Sequence, residues 1–419
     1  MTMNAKRRRV HDKLAGMPGV RPVRRPVSPD SGDEFDLYYV RTGRKSAHPL
    51  VILPGGPGVA SMRLYKGLRR RFAAAGLDVI MIEHRGVGMS RHDDSGADLP
   101  PQALTVDQVV DDVAAVLDDA HVESAVVYGT SYGTYIAAGL GVRHPGRVRA
   151  MILDSPLLSR DDIADVRDAI RGLLLRGDHP ETAALAPKVR RLVDEGVMTH
   201  SGGQIAARFY GYGGTDLLER QLDLLLTGRT MLWQSMLRFG TILARKAPYR
   251  FETDLVNRIA LRELDYAPKP DGLPLDPAIA MREMIPQTAP FEAEPYDLVA
   301  EMPKFGWPTV VISGGRDLVT PPAVAERIAS LVPDAVLLSL PTMAHGALDF
   351  REAAALAVAE AVCGGEFDGL AERAAALDAL PEHPAMRVLW KAIRVAATAE
   401  RALPFIWRAD AKSPKISAD

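Results

Sequence analysis

Val126-Val127-Tyr128-Gly129-Thr130-Ser131-Tyr132-Gly133 is the stretch on which the reading of this chain turns. A short apolar run ends here in G-x-S-x-G and passes into Thr134, Tyr135, Ile136, Ala137 and Ala138, a helical pattern. Glycine on both flanks of a serine suits a sharp strand-to-helix turn. A side chain on either flank would clash there, and the serine is held in a strained, exposed position. Such a turn lifts the Ser131 hydroxyl off the sheet and sets a helix N-terminus beneath it. An ordinary small-residue turn is the competing reading, so the surrounding pattern has to decide.

Working outward, Phe35 to Val40 reads as an entry strand, and Leu50-Val51-Ile52-Leu53 as a buried strand that stops at Pro54-Gly55-Gly56-Pro57-Gly58. Residues 61–75 read as helix and Val79-Ile80-Met81-Ile82 as strand. Over 105–120, Val106, Val109, Val110, Val113, Val116 and Leu117 recur near a 3.6 period, with Thr105 as N-cap. Strands at 125–128 and 150–153 follow. The alternation then stops: from about Pro156 to Pro303 the patterns are helical (161–175, 181–196, 216–226, 230–245), and Gly211-Tyr212-Gly213-Gly214 reads as a break. Strands return at 309–313 and 335–340, with a helix near 322–331 between them. Alternating β and α signals with apolar strands predict an α/β fold, its mostly parallel central sheet covered by helices on both faces. The expected organisation is a basic, disordered arm (1–30), a catalytic α/β domain (31–155 and 304–364), an inserted helical lid (156–303) and a helical C-terminal extension (365–419). In that extension Met386, Leu389, Ile393 and Ala396 share one side of a helix that precedes Pro404-Phe405-Ile406-Trp407. It would pack on the chain's own body or on a second subunit of a homo-oligomer.

Composition narrows the function classes. The chain has 419 residues, 47% hydrophobic and 25% charged, with a formal net charge of −2. That balance offers no reason to expect nucleic acid or an anionic membrane as partner. Lys6, Arg7, Arg8, Arg9, Lys13, Arg21, Arg24 and Arg25 crowd the N-terminal end between prolines, with no apolar stretch of a secretory signal. Cys363 is the one cysteine, which rules out an intrachain disulfide or a thiolate zinc site and favours a reducing compartment or simple indifference to redox; the expected location is cytoplasmic. No run approaches the roughly 18 apolar residues of a transmembrane segment.

An activated serine needs a base for its proton, a carboxylate to orient that base, and donors for an oxyanion. On a sheet of this kind the acid and histidine follow the serine on loops after later strands. Asp317 sits directly after the strand at 309–313, and His345 directly after the last strand, so the expected triad is Ser131, Asp317 and His345. Asp154, at the end of an earlier strand, is the rival orienting acid, and Asp349 a weaker one. Oxyanion donors would be the backbone N–H of Tyr132 and that of Gly56, where glycine lets the backbone approach a substrate closely. His84 and Ser90 fall in Glu83-His84-Arg85-Gly86-Val87-Gly88-Met89-Ser90, a loop read as supporting the site through its glycines and Arg85. No cofactor or metal is called for.

The G-G-P-G run at 55–58, R-G-x-G-x-S at 85–90, G-x-S-Y-G at 129–133 and Ser313-Gly314-Gly315-Arg316-Asp317-Leu318-Val319-Thr320-Pro321 together resemble the α/β-hydrolase superfamily. Within it they look like the proline iminopeptidase and tripeptidyl aminopeptidase branch of serine peptidases. The resemblance covers roughly 35–155 and 305–360. It implies an α/β-hydrolase fold with a cap, and hydrolysis through an acyl-enzyme of a small peptide or small-molecule acyl substrate. N-terminal proline or another small residue of a short peptide is the expected target. An esterase, lactonase or amidase is the alternative, and a hydrolase-fold ligand-binding protein the third. The chain departs from the branch at Pro54, where histidine is usual, at Glu83, where aspartate is usual, and in a lid where Trp233 is followed by Gln234. An aminopeptidase must pair a positive α-amine with a carboxylate. Glu219, Glu252, Glu263, Glu283, Glu292 and Glu294 are available, and the sequence does not rank them.

Overall fold

The computed structural model describes residues 3–243, 248–285 and 289–402. One sheet holds β1 (Val20–Pro26), β2 (Glu34–Thr42), β3 (Leu50–Leu53), β4 (Val79–Ile82), β5 (Ala125–Thr130), β6 (Val148–Asp154), β7 (Thr309–Gly314) and β8 (Ala335–Leu340), in the spatial order β1-β2-β4-β3-β5-β6-β7-β8. Pairings from β4 across to β8 are parallel, while β2 runs antiparallel to both β4 and β1. Every residue of β3, β4 and β5 is buried, as strands covered on both faces require. Their alternate side chains feed two cores. Val51, Leu53, Ile80, Ile82 and Val127 meet the helices Val106–Asp119, Tyr132–Arg143 and Pro322–Leu331. Leu50, Ile52, Val79, Met81 and Val126 meet Lys66–Ala74 and Glu352–Gly364. The chain leaves β3 for β4 on one side and returns to β5 on the other. That reversal opens a crevice at the carboxyl ends of β3 and β5.

Between β6 and β7 the chain is helical, with helices including Asp162–Arg171, Ala186–Asp194, His200–Gly213, Thr215–Leu226, Met231–Leu243, Thr253–Arg262 and Pro277–Met284. Several of them share a third core, which includes Ile170, Val189, Phe209, Leu217, Leu222 and Trp233. Among the described residues, no helix is long and apolar enough to cross a membrane.

Three expectations need correction. The basic arm is ordered: Ala5–Ala15 is a helix and Val20–Pro26 is an edge strand paired with β2. Its charge density suggested solvation, but distant acids neutralise it. Arg24 reaches Glu34, Asp36 and Asp94, Arg25 reaches Asp112, and Arg7 is buried against Glu252. Pro22 and Pro26 are tolerated because an edge strand need not donate on its open side. Secondly, Gly211 and Gly213 lie inside the helix His200–Gly213, which stops only at Gly214 with φ 78°. A Cβ on Gly211 would stand 3.1 Å from Ala344 Cβ and 3.3 Å from the Arg316 carbonyl oxygen. Glycine there permits close approach of the helix to two loops. Thirdly, the helix Pro384–Ala402 buries Trp390, Ile393, Ala397 and Glu400, whereas Leu389 and Ala396 face outward. Trp390 stacks on Tyr212 at 5.7 Å, and Glu400 accepts from the N–H groups of Met231 and Leu232. This helix thus packs on the chain's own helices Thr215–Leu226 and Met231–Leu243. Pro404-Phe405-Ile406-Trp407 lies outside the described residues.

Candidate active site

Ser131 occupies the turn between β5 and the helix Tyr132–Arg143 with φ 51° and ψ −123°, a conformation rare for a residue with a side chain. The surroundings enforce it. A Cβ on Gly133 would fall 2.0 Å from the Leu53 carbonyl oxygen, and one on Gly129 2.3 Å from that of Gly133. The Ser131 N–H donates to the Asp154 carbonyl at 2.9 Å, and the Thr134 hydroxyl donates to the Ser131 carbonyl at 2.6 Å.

His345 bridges the other two residues read from the motif order. Its Nε2 lies 2.9 Å from Ser131 Oγ and its Nδ1 lies 2.9 Å from Asp317 Oδ2. The N–H groups of Val319 and Thr320 donate to Asp317 Oδ1 at 2.8 and 3.0 Å, and the Thr320 hydroxyl donates to Oδ2 at 2.8 Å. Burial by itself pushes the Asp317 carboxyl up. The charge and hydrogen bond of His345, with these N–H donors, outweigh burial and hold it below the usual carboxylate range. For His345 burial favours the neutral ring, but the Asp317 charge and hydrogen bond win and raise its pKa above the ordinary histidine value.

Asp154 does not meet the imidazole. Its oxygens accept from the N–H groups of Ala347 and Leu348 at 2.9 Å each and from the Tyr128 hydroxyl at 3.0 Å. It therefore anchors the turn that follows His345. Asp349 accepts from the Tyr65 hydroxyl at 2.7 Å and is pushed up to about 6 by burial. Ser90 accepts from the Tyr38 N–H. The wholly buried Arg85 clamps Asp112 at 2.6 Å through two nitrogens, so its work is holding the loop to the helix Val106–Asp119. Glu83 accepts from the Ser61 hydroxyl and from the Met62 and Met89 N–H groups; a Cβ on Gly88 would collide with it.

Of the two expected oxyanion donors, Tyr132 follows the serine directly and Gly56 follows Gly55, whose backbone comes close to it. Tyr132 is the first residue of its helix, so its N–H has no carbonyl a turn earlier. Gly56 has φ 134°, and a Cβ on its neighbour Gly55 would stand 3.2 Å from Ser131 Cβ. Among the described residues, neither the Gly56 nor the Tyr132 N–H has a hydrogen-bond acceptor. The side chain of Tyr132 is buried edge-on to His84 at 6.2 Å. His84 finds no hydrogen-bond partner among the described residues, and burial pulls it down to about 4.

The six candidate glutamates between β6 and β7 are now unequal. Glu252 is consumed by Arg7 and by the N–H groups of Gly88 and Tyr249. Glu219 pairs with Lys188, Glu292 with Arg262, and Glu283 accepts from the Ser201 hydroxyl. Glu263 and Glu294 have no cation beside them comparable to these, accept from the N–H groups of Val106 and Arg160, and are each pushed up to about 7 by burial. Burial raises the pKa of the Tyr132 phenol, and the charge of Glu263 adds to that rise. Only the fold could rank these acids, because their partners come from remote segments.

The family model described as the alpha/beta hydrolase fold matches residues 48–177. A protein named "Probable proline iminopeptidase" from Streptomyces coelicolor is 29% identical over 144 residues, which are 34% of this chain and 43% of that protein. The match thus spans less than half the length of that relative. A rhodomycin D methylesterase from a Streptomyces species is 26% identical over 316 residues, 75% of this chain and 90% of the relative. The solved proline iminopeptidase of Mycobacterium smegmatis covers 90% of this chain and 99% of its own, at 16% identity and a TM-score of 0.47. With its eight-stranded, mostly parallel sheet in the order described and its sharp strand-to-helix turn at Ser131, this chain has the α/β-hydrolase fold, and over about a third of its length it is similar to a proline iminopeptidase.

Proposed function

We propose that the chain is a serine hydrolase working through an acyl-enzyme. The observation that carries this reading is the imidazole of His345 lying 2.9 Å from both Ser131 Oγ and Asp317 Oδ2. Ser131 Oγ attacks the substrate carbonyl carbon while His345 Nε2 takes its proton. The N–H groups of Gly56 and Tyr132 receive the negative charge that develops on the carbonyl oxygen. Asp317 accepts from Nδ1–H and stabilises the imidazolium. Collapse of the tetrahedral adduct breaks the bond to the leaving group, which departs with the proton from Nε2. A water then attacks the acyl carbon, gives its proton to Nε2, and the free acid leaves as Ser131 recovers its hydrogen. Residues 156–303 act as the cap that limits the acyl group and excludes bulk water.

As substrate we infer a short peptide with a free N-terminal proline or small residue, with Glu263 as the carboxylate that meets the α-amine. A carboxyl held near 7 by burial ionises when an ammonium arrives, so recognition and charge neutralisation are one event. The lone cysteine and the small size of the substrate fit a cytoplasmic enzyme. A small-molecule esterase is the second reading, favoured by the match along 90% of the rhodomycin D methylesterase. Rates on proline p-nitroanilide, its N-acetylated form and p-nitrophenyl acetate separate the two, with Ser131→Ala as the inactive control. We expect N-acetylation to lower kcat/KM by about 10²-fold or more and Glu263→Gln to remove most of that discrimination. Equal turnover of free and blocked amines would end the aminopeptidase reading and leave the esterase.

A further inference from the structure

Away from the serine, a hollow of about 460 Å³ opens between the cap helix His200–Gly213, the loops that carry Asp317 and His345, and the C-terminal helix Pro384–Ala402. Its walls carry five cations, Arg316, Arg351, Arg387, Lys391 and Arg394, against one carboxylate, Glu382. Elsewhere this chain pairs its arginines with carboxylates repeatedly, as at Arg7, Arg24, Arg41, Arg85 and Arg91. Here, among the described residues, Arg351, Arg387, Lys391 and Arg394 have no carboxylate at ion-pair distance, and Arg316 reaches only Glu181 at 4.0 Å. The nearby Asp378 carboxylate is occupied by the N–H and hydroxyl of Thr342.

Two of the cations are held in fixed positions. Arg351 donates to the carbonyls of Asp378 and Leu380 and to the Thr342 hydroxyl, and Arg394 donates to the Gly213 carbonyl. Carbonyls and a hydroxyl orient a guanidinium without cancelling its charge. Like charges converging on a concave surface repel one another and raise the local concentration of anions. Guanidinium forks match the oxygen spacing of phosphate and carboxylate groups, and lysine adds a point charge.

We propose that this hollow binds a small polyanion, bearing two or more negative charges on phosphate or carboxylate groups, and that its occupancy changes the reactivity of Ser131. The second clause rests on the serine-hydrolase reading; the first does not. The coupling is geometric. Arg316 is bonded to Asp317 and its N–H donates to the Met343 carbonyl at 2.9 Å, while the Tyr212 hydroxyl donates to the His345 carbonyl at 3.2 Å. An anion drawing Arg316 and Tyr212 together bears on both loops at once.

The full chain should be titrated at low ionic strength with pyrophosphate and with citrate, using calorimetry and sodium chloride of matched ionic strength as control. Saturable one-to-one binding with Kd below about 1 mM is expected, and the tighter anion names the source chemistry. Arg387→Ala with Lys391→Ala, both exposed, should weaken it at least about tenfold. Arg70→Ala, an exposed cation on another helix, should not. Lys391→Gln alone serves if the double variant fails to match the wild-type melting temperature without anion. No saturable binding of either anion, or binding indifferent to the Arg387 and Lys391 changes, overturns the site. Saturating anion that leaves the rate of fluorophosphonate labelling at Ser131 unchanged overturns the coupling, whereas a protein that binds the anion but is never labelled points to failure of the hydrolase reading instead.

Discussion

At the scale of single residues, the hydroxyl of Ser131 and the ring of His345 have what each needs within one hydrogen bond. Because Asp317 raises the His345 pKa, the neutral base comes to predominate only above the ordinary histidine value. The acid limb of kcat/KM should therefore lie above pH 6.5, with activity rising as the imidazole loses its proton. Asp317→Asn should lower the rate on the order of 10⁴-fold and move that limb down. A pH–rate profile of both proteins measures this, and an unmoved limb would mean that Asp317 does not set the titration. The same shift adds stability below the unfolded-state pKa of the histidine, and that contribution is lost as pH rises through the higher folded-state value. The serine, acid and histidine were legible because each follows an apolar strand in a fixed order. The partners of Asp154 were not, since the Ala347 and Leu348 N–H groups meet it only across the folded sheet.

At the scale of elements, the N-terminal helix Ala5–Ala15 is tied through Arg7 to the segment between β6 and β7. Arg7 forms two 2.8 Å bonds to Glu252, and both are almost fully buried. Glu252 in turn receives the Gly88 N–H, while its own N–H donates to the Gly58 carbonyl in the loop beside the serine. Without Arg7 the buried Glu252 keeps only the longer 3.6 Å contact with Arg91 among its cations, so Arg7→Met should destabilise the protein by up to about 3–5 kcal/mol. Arg7→Met with Glu252→Met should cost less than the sum of the single changes, as chemical denaturation would reveal. Strict additivity would show that the two side chains do not act as a pair. Hydrophobic periodicity announced the helix Val106–Asp119 and its Thr105 cap, whose hydroxyl accepts from the Gln108 N–H at 3.2 Å. It could not announce the N-terminal helix and β1, because the helix is held by the Arg7 pairing with the remote Glu252 and β1 by its ladder to β2 together with ion pairs to Asp94 and Asp112.

Over the whole molecule, the C-terminal helix completes the third core, formed by helices between β6 and β7. Trp390 lies against Tyr212 and edge-on to Phe209, and Ile393 and Ala397 extend the same buried face. Trp390→Ala should cost about 3–5 kcal/mol. It should also raise amide exchange over 384–402 and 200–226 together, leaving β5 and β6 protected. Exchange confined to 384–402 would show that the helix is an appendage with no part in holding the cap.

Local pattern alone determined the alternating strands and helices, the turn at Gly129-Thr130-Ser131-Tyr132-Gly133 and the chain order of serine, acid and base. Those features rest on side-chain period and backbone sterics, which act between neighbours in the sequence. The tertiary structure decided the fate of the basic N-terminal segment, the inward face of the last helix and the ranking of the cap glutamates. In each of these the deciding term is the desolvation or pairing of a charge or ring by a group tens to hundreds of residues away, and no local period encodes it.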